Sequence, residues 1–153
     1  MDKFNLIPIL LAEDDPDDIE ITHRAFKKGN ISNPLYIVRD GEEALEFLRN
    51  EGRYTDKKLA PRPGLILLDL NMPRVDGREV LKIVKNDSSL RRIPIIVMTT
   101  SKHEKDVLCS YDYGANTYIT KPLNFNDFIE ALQIVGKYWL GIAEIPNGRN
   151  VIE

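Results

Sequence analysis

Apolar residues occur along this chain in five short runs, separated by longer segments in which apolar positions recur with a helical spacing. Three of the five runs are apolar almost throughout, without alternation of polar and apolar residues. Continuous runs of this length are typical of strands that are covered on both faces, as in a parallel sheet. The sequence therefore predicts five strands. They cover residues 7–12, 35–38, 65–70, 93–99 and 117–120.

Amphipathic segments follow each of these runs and predict five helices. They cover residues 16–28, 41–50, 77–86, 102–113 and 124–140. The first begins at Pro16, which suits a first helical turn, and the last carries an apolar stripe that we interpret as core. The stripe consists of Phe125, Phe128, Leu132, Val135 and Trp139. Five strand–helix units predict an α/β fold, a doubly wound parallel sheet with helices on both faces.

The length of the chain, 153 residues, allows one domain with a sizeable core. Residues 50–64, NEGRYTDKKLAPRPG, are polar and interrupted by Pro and Gly, which predicts a surface loop. After the last helix, residues 141–153 are too few for another domain. We therefore expect one domain over 6–140, followed by a short tail.

Charge and composition narrow the classes of partner. The formal net charge is -3 and no block of Lys and Arg occurs, so nothing predicts general binding to nucleic acid or to an anionic membrane. No apolar run approaches the ~20 residues of a membrane span. Cys109 is the single cysteine, which excludes an internal disulfide and is interpreted as a buried thiol in a reducing compartment. We expect a soluble, cytoplasmic protein.

Chemically active residues follow the predicted strands at their carboxyl ends. In parallel sheets these ends lie at one edge, where ligands bind, so we expect the side chains to converge. The set consists of Glu13 and Asp14 after the first strand, Asp69 in the third, Thr99 and Thr100 in the fourth, and Lys121 after the fifth.

Three carboxylates in one place repel each other, by about 4 kcal/mol for two unit charges about 4 Å apart at an effective dielectric constant of about 20. Such a cluster needs a cation, or one carboxyl must stay protonated. Oxygen ligands with open positions suit Mg²⁺. Lys121 adds a positive charge for Asp69 or a phosphoryl group, and Thr99 adds a hydroxyl donor. This set suits phosphoryl transfer to Asp69 and formation of an aspartyl phosphate.

In this order, the motifs resemble the receiver domains of two-component response regulators. The markers are the acidic pair after ILLA, LLDLNMP at 67–73, DG at 76–77, VMTT at 97–100 and KP at 121–122. The resemblance covers residues 6–140 and implies a flavodoxin-like (βα)₅ fold. It also implies that Asp69 accepts a phosphoryl group from a phosphohistidine of a sensor histidine kinase.

The resemblance implies a magnesium site as well. Asp14, Asp69 and the backbone carbonyl of Asn71 would ligate Mg²⁺, with Glu13 acting mostly through water. The family more often has Asp at the position of Glu13, and this variation is not expected to impair metal binding.

The resemblance further implies a conformational switch. Lys121 would contact the phosphoryl group, and its bond to Pro122 would be cis. Thr99 would move toward the phosphoryl group while Tyr118 turns inward, which alters the face formed by the fourth helix, the fifth strand and the fifth helix. The output would then be a downstream protein or a phosphotransfer partner.

A narrower resemblance is to the single-domain regulators that partner bacterial phytochrome kinases. It depends on the loop at 50–64, DGREVL at 76–81, YWL at 138–140 and the short tail. Within this last motif, Tyr138 and Trp139 are candidates for a contact in a homodimer.

Two other functions remain open at this point. An aspartate-nucleophile phosphatase usually has a second acid two residues after the nucleophile, where this chain has Asn71, and its nucleophile ends the first strand. An unphosphorylated scaffold would keep only the receiver shape, against which the intact Asp69 and Lys121 argue. Asp15, Asp17 and Asp18 are interpreted as a solvated helix start, and His23 and His103 as structural or exposed.

Overall fold

The computed structural model describes residues 6–146 and contains one sheet of five parallel strands in the order β2-β1-β3-β4-β5. The strands are β1 (Ile9–Ala12), β2 (Leu35–Val38), β3 (Leu65–Leu68), β4 (Ile95–Thr99) and β5 (Thr117–Thr120). The helices are α1 (Pro16–Lys28), α2 (Gly41–Arg49), α3 (Gly77–Lys85), α4 (Glu104–Asp112) and α5 (Phe125–Gly141). The predicted doubly wound, flavodoxin-like α/β fold is confirmed.

Two hydrophobic cores lie on opposite faces of the sheet, because successive side chains of a strand point in opposite directions. In β1, Leu10 packs into the core beneath α2 and α3, and Leu11 packs into the core beneath α1 and α5. In β3, Ile66 and Leu67 divide between the two cores in the same way. Burial on both faces explains why these strands read as continuous apolar runs.

The strands β2 and β5 have the predicted bounds, whereas β1, β3 and β4 are shorter than the sequence predicts, for reasons of backbone chemistry. β1 and β4 begin after Pro8 and Pro94, since proline has no N–H to donate to a sheet ladder. β3 ends at Leu68, so Asp69 lies just beyond the strand. Its N–H nevertheless donates to the carbonyl of Ala12 at 3.0 Å. The backbone of Asp69 is therefore fixed by the sheet although its side chain lies at the edge.

The loop at 50–64 is on the surface and contains a short 3-10 helix at Gly52–Tyr54. Asn50 adopts a left-handed conformation at the end of α2, with φ of 54°. Its side-chain amide donates to the carbonyls of Tyr54 at 3.0 Å and Ala60 at 2.8 Å. One side chain thus ties both halves of the loop to the helix that precedes it.

Two side chains, those of Phe125 and Cys109, are more exposed than the sequence pattern predicts. Phe125 is the first residue of α5 and is 45% exposed, with the guanidinium of Arg24 lying over its ring. Cys109 is only partly buried, because α4 buries Ser110 alone among its residues. His23 is exposed on α1, which is one of the two alternatives that the sequence leaves open for it. Among residues 6–146, no helix combines the length and the apolar character needed to cross a membrane.

Candidate functional site

Three carboxylates come together at the carboxyl edge of the sheet. Glu13 and Asp14 follow β1 directly, and Asp69 follows the neighbouring strand β3. One oxygen from each of the three lies within 4.8 Å of the others. Glu13 and Asp69 are buried and Asp14 is exposed, so the cluster is open to solvent on one side.

The ammonium group of Lys121 lies against this cluster. Lys121 follows β5, and its backbone N–H donates to the carbonyl of Thr99 at 2.7 Å. Its Nζ donates to Oδ2 of Asp69 at 3.0 Å and to Oε1 of Glu13 at 2.6 Å. A third bond, also 2.6 Å, reaches Oδ2 of Asp18 in the first turn of α1. Burial alone lowers the pKa of Lys121, but hydrogen bonds to Asp18 and Glu13 and the surrounding negative charges outweigh it and raise the pKa.

Burial, together with the nearby negative charge of Asp69, raises the pKa of Glu13 to about 8, although Lys121 acts in the opposite direction. The carboxylates in contact with Lys121 outnumber its one ammonium group, so negative charge is in excess at this edge. The donors are oxygens, and one side of the cluster is open. This donor set fits a hard divalent cation, which takes a few carboxylates and keeps other positions for water or a phosphate.

The turn after Asp69 holds its carboxylate in place. The backbone N–H of Asn71 donates to Oδ1 of Asp69 at 3.1 Å, opposite the bond from Lys121 to Oδ2. The side-chain amide of Asn71 donates to Oγ1 of Thr99 at 3.3 Å, and Thr99 is fully buried. Further along the turn, the N–H of Gly77 donates to the carbonyl of Leu70 at 2.9 Å. Both oxygens of Asp69 are therefore oriented by neighbouring donors.

These residues also match a known family. A sequence profile of the response regulator receiver domain matches residues 9–133. This chain belongs to the response regulator receiver domain family. A receiver domain is a signalling domain that works through phosphorylation and is not a conventional enzyme, so family membership favours this reading over the phosphatase and the scaffold.

Individual relatives of this receiver domain agree with the assignment. Response regulator Rcp1 of Synechocystis sp. is 43% identical over 138 residues, which are 90% of this chain and 92% of that protein. The structure of the phosphorylated cyanobacterial phytochrome response regulator RcpA has a TM-score of 0.87 and 42% identity, over 92% of this chain and 99% of that one. The Mn²⁺-bound form of Rcp1 has a TM-score of 0.86, again with 42% identity over 92% of this chain and 99% of that one. The narrower resemblance to phytochrome-partner regulators is confirmed.

In this receiver domain, Tyr118 connects β5 to the loop after β4. Its hydroxyl donates to the carbonyl of Ser101 at 2.9 Å, and its ring is half-buried. Its backbone N–H donates to the hydroxyl of Tyr111 on α4 at 3.2 Å. Ser101 in turn has its N–H 3.5 Å from Oγ1 of Thr99. Tyr118 and Thr99 are thus joined through one loop residue, while the cis geometry expected at Pro122 stays a prediction.

An ion pair between α3 and α4 holds the same loop from the other side. The guanidinium of Arg78 donates to both oxygens of Asp106, at 2.9 and 2.8 Å. The hydroxyl of Ser101 donates to Oδ2 of Asp106 at 2.5 Å, and Asp76 accepts a further bond from Arg78 at 2.9 Å. The hydrogen bonds from Arg78 and Ser101 hold the pKa of Asp106 well below its usual range.

Sequence reasoning missed the three charged residues Asp18, Arg78 and Asp106. The sequence pattern indicates only a solvated helix start at Asp18, but this residue lies in the first turn of α1, which begins directly after the acidic pair that follows β1. Its place close to that pair along the chain is the one signal that the sequence offers. Arg78 and Asp106 are 28 residues apart on different helices, and no periodicity in the sequence connects them.

Asp106→Asn is expected to lower the free energy of unfolding at pH 7 by about 1–2 kcal/mol, because it weakens charge-assisted hydrogen bonds. A carboxyl whose pKa is lowered by folding stabilises the protein above its unfolded-state pKa, and this contribution is lost as the pH falls through the lower, folded-state value. The difference from wild type should therefore shrink below about pH 4. Urea unfolding at several pH values measures this difference in the free energy of unfolding.

The control for this pH experiment is Asp112→Asn, since Asp112 is an exposed acid at the other end of α4. It should leave the unfolding free energy nearly unchanged at every pH. A difference between wild type and Asp106→Asn that stays constant down to pH 3 would contradict the assigned ion pair.

Proposed function

We propose that this chain is a response regulator that accepts a phosphoryl group on Asp69 in a reaction that requires a divalent cation, Mg²⁺ in the cell. The observation that carries the proposal is the contact of Asp69 with Lys121 inside a cluster of three carboxylates. The phosphorylated state of the relative RcpA supports it. The modification then changes the affinity for a downstream protein, or the phosphoryl group is passed to a phosphotransfer partner.

Asp14, Asp69 and the backbone carbonyl of Asn71 would hold the Mg²⁺, with Glu13 acting through water. The Mn²⁺-bound form of the relative Rcp1 supports a divalent site. When bound, the cation offsets negative charge on the carboxylates and on the transferring group. The contribution of the chain is to keep its oxygen donors on one side of a buried acceptor.

The chain positions the reacting oxygen of Asp69. Asn71 and Lys121 each donate to one oxygen of its carboxylate, so the side chain cannot rotate freely. A bond forms between this carboxylate and phosphorus, while the phosphorus–nitrogen bond of the donor phosphohistidine breaks and the released imidazole takes a proton from solvent. Lys121 then donates to the phosphoryl group, and its positive charge offsets the added negative charge.

The conformational switch begins at the hydroxyl group of Thr99. Its oxygen accepts from Asn71, which leaves its hydrogen to donate to a phosphoryl oxygen. Movement of Thr99 disturbs the loop at Ser101, where the hydroxyl of Tyr118 is bound. Tyr118 turns further inward, and the surface of α4, β5 and α5 changes. Phosphorylation thereby shifts a population of two conformers.

The proposed phosphodonor is a sensor histidine kinase of the bacterial phytochrome class. This part rests on the similarity to Rcp1 and RcpA, and a phosphotransfer assay against a panel of kinases tests it.

We further propose that the receiver unit spans 6–140 with a tail at 141–153, and that the protein works in the cytoplasm. Tyr138, which is 49% exposed, is proposed to contribute to a homodimer, which sedimentation with and without a phosphoryl mimic tests.

Incubation with Mg²⁺ and acetyl phosphate is expected to give one adduct with the mass of a single phosphoryl group, stable in acid and labile in base. Removal of divalent cations with EDTA should prevent its formation, because the carboxylates then repel the incoming anion. Intact-mass spectrometry measures both results. An adduct that forms equally well in EDTA would overturn the cation requirement, and the absence of any adduct would overturn the proposed function.

A further inference from the structure

Lys121 donates to three carboxylates, and one of them lies outside the cation cluster. Its Nζ is 2.6 Å from Glu13, 2.6 Å from Asp18 and 3.0 Å from Asp69. Glu13 and Asp69 belong to the cluster that fits a divalent cation, whereas Asp18 is not one of its members. An ammonium group has three hydrogens to donate. All three are used, and Asp18 receives one of them.

The position of Asp18 is fixed by the start of α1. Asp15 caps the helix by accepting from the N–H of Asp17 at 2.9 Å, and Pro16 is the first helical residue. The backbone carbonyl of Asp18 accepts from the hydroxyl of Thr22 at 2.8 Å. Its side chain is only 18% exposed, and the positive end of the helix dipole favours its negative charge. A helix therefore supplies this partner of Lys121.

The three partners of Lys121 differ in what happens to them during phosphorylation. Glu13 and Asp69 belong to the cluster that would hold the cation, and Asp69 would become the phosphorylated residue. The ammonium group then exchanges its bond to Asp69 for one to the phosphoryl group. Asp18 takes part in neither change, so its bond to Lys121 can persist in every state.

We propose that Asp18 is a positioning residue, which anchors Lys121 so that its ammonium group faces the reacting oxygen of Asp69 throughout the phosphorylation cycle. This inference rests on the proposed function of Asp69. Without Asp18, the ammonium group has only Glu13 and Asp69 as partners. It is then drawn further into the cluster, where it competes with the cation and with the phosphoryl group for the same oxygens.

Asp18→Asn is therefore expected to slow phosphoryl transfer from acetyl phosphate by about tenfold at saturating donor, the effect of losing one charge-assisted hydrogen bond. The KM for acetyl phosphate should change by less than about twofold, because Asp18 does not contact the donor. Asp18→Glu should recover most of the rate. The matched control is Asp17→Asn, which removes the same charge from an exposed position in the same helical turn.

A second readout does not depend on phosphorylation. Protons of a buried, hydrogen-bonded lysine ammonium group exchange slowly enough with water to be followed by nitrogen-15 NMR, and the signal of Lys121 is assigned by its loss in Lys121→Arg. In wild type and in Asp17→Asn, this signal should persist when Mg²⁺ is added, because Asp18 keeps its bond. In Asp18→Asn it should broaden or vanish with Mg²⁺. Mn²⁺ binding by calorimetry should also be a few-fold weaker in this variant.

The two readouts separate the possible failures. If Asp18→Asn transfers phosphate as fast as Asp17→Asn and keeps its Lys121 signal, then Asp18 is not a positioning residue. If Asp18→Glu does not recover the rate that Asp18→Asn loses, the effect is not due to the anchored ammonium group. If wild type takes up no phosphoryl group, the proposed function fails with the role that rests on it, while the NMR signals still report the Asp18–Lys121 contact.

Discussion

Asp69→Asn is expected to abolish the phosphoryl adduct that wild type forms with Mg²⁺ and acetyl phosphate. An amide nitrogen is not a nucleophile under these conditions, so the loss should be at least about a thousandfold in rate. The shape of the side chain is retained, and its carbonyl oxygen can still accept from the N–H of Asn71, which lies 3.1 Å from Oδ1. Intact-mass spectrometry of the variant and of wild type measures the outcome.

A folded but inactive variant is the result that identifies the acceptor. Asp69 is one of three carboxylates at this edge, so its replacement relieves repulsion, which offsets the weakened bond from Lys121, and the melting temperature should change little. Asp17→Asn serves as the control, because it removes an exposed acid near the same edge and should form the adduct normally. An adduct of the same yield in Asp69→Asn would place the phosphoryl group on another residue.

Gly77→Ala is expected to lower the free energy of unfolding by about 3 kcal/mol, at the upper end of what overpacking costs. A Cβ atom at this position would lie 2.2 Å from the carbonyl oxygen of Asp69 and 2.7 Å from the Cα of Leu70. Both are backbone atoms, so no rotation of a side chain can relieve the clash. Either α3 or the turn that carries Asp69 must therefore move. Urea unfolding and calorimetry measure the resulting loss of stability.

The same change should also slow phosphorylation, by roughly a hundredfold if Asp69 moves by about 1 Å. Gly141→Ala is the matched control, because a Cβ atom there meets nothing within 4 Å. That variant should keep wild-type stability and rate. Equal stability of the two alanine variants would mean that α3 adjusts at no cost and that Gly77 is not required for close packing.

The fold was predictable because each element has its own local signal. Buried strands appear as continuous apolar runs, helices as spaced apolar positions, and the order of the two fixes a parallel sheet. The residues of the acid cluster could be named for the same reason, since Glu13, Asp14 and Asp69 follow neighbouring strands whose carboxyl ends meet. Neither step requires knowledge of side-chain conformations.

What could not be predicted depends on how helices sit against one another. The bond between Lys121 and Asp18 joins residues 103 apart, and the pair of Arg78 and Asp106 joins two helices that share no sequence pattern. Phe125 shows a related limit: spacing places it on the apolar stripe of α5, but its position at the first residue leaves it beyond the edge of the core. Periodicity defines a face and does not say how far the neighbouring layer extends.

The small buried surface of α4 has a consequence for how the response of such a regulator can vary between related proteins. Ser110 is the one residue of this helix that is buried, and its start is tied down by Asp106 to Arg78 and Ser101. A few polar contacts at the start of α4 therefore provide much of the energy that holds this helix in place. Substitutions at Arg78 or Asp106 can therefore change how strongly the protein responds to a given signal, while the phosphoryl-transfer chemistry at Asp69 stays the same.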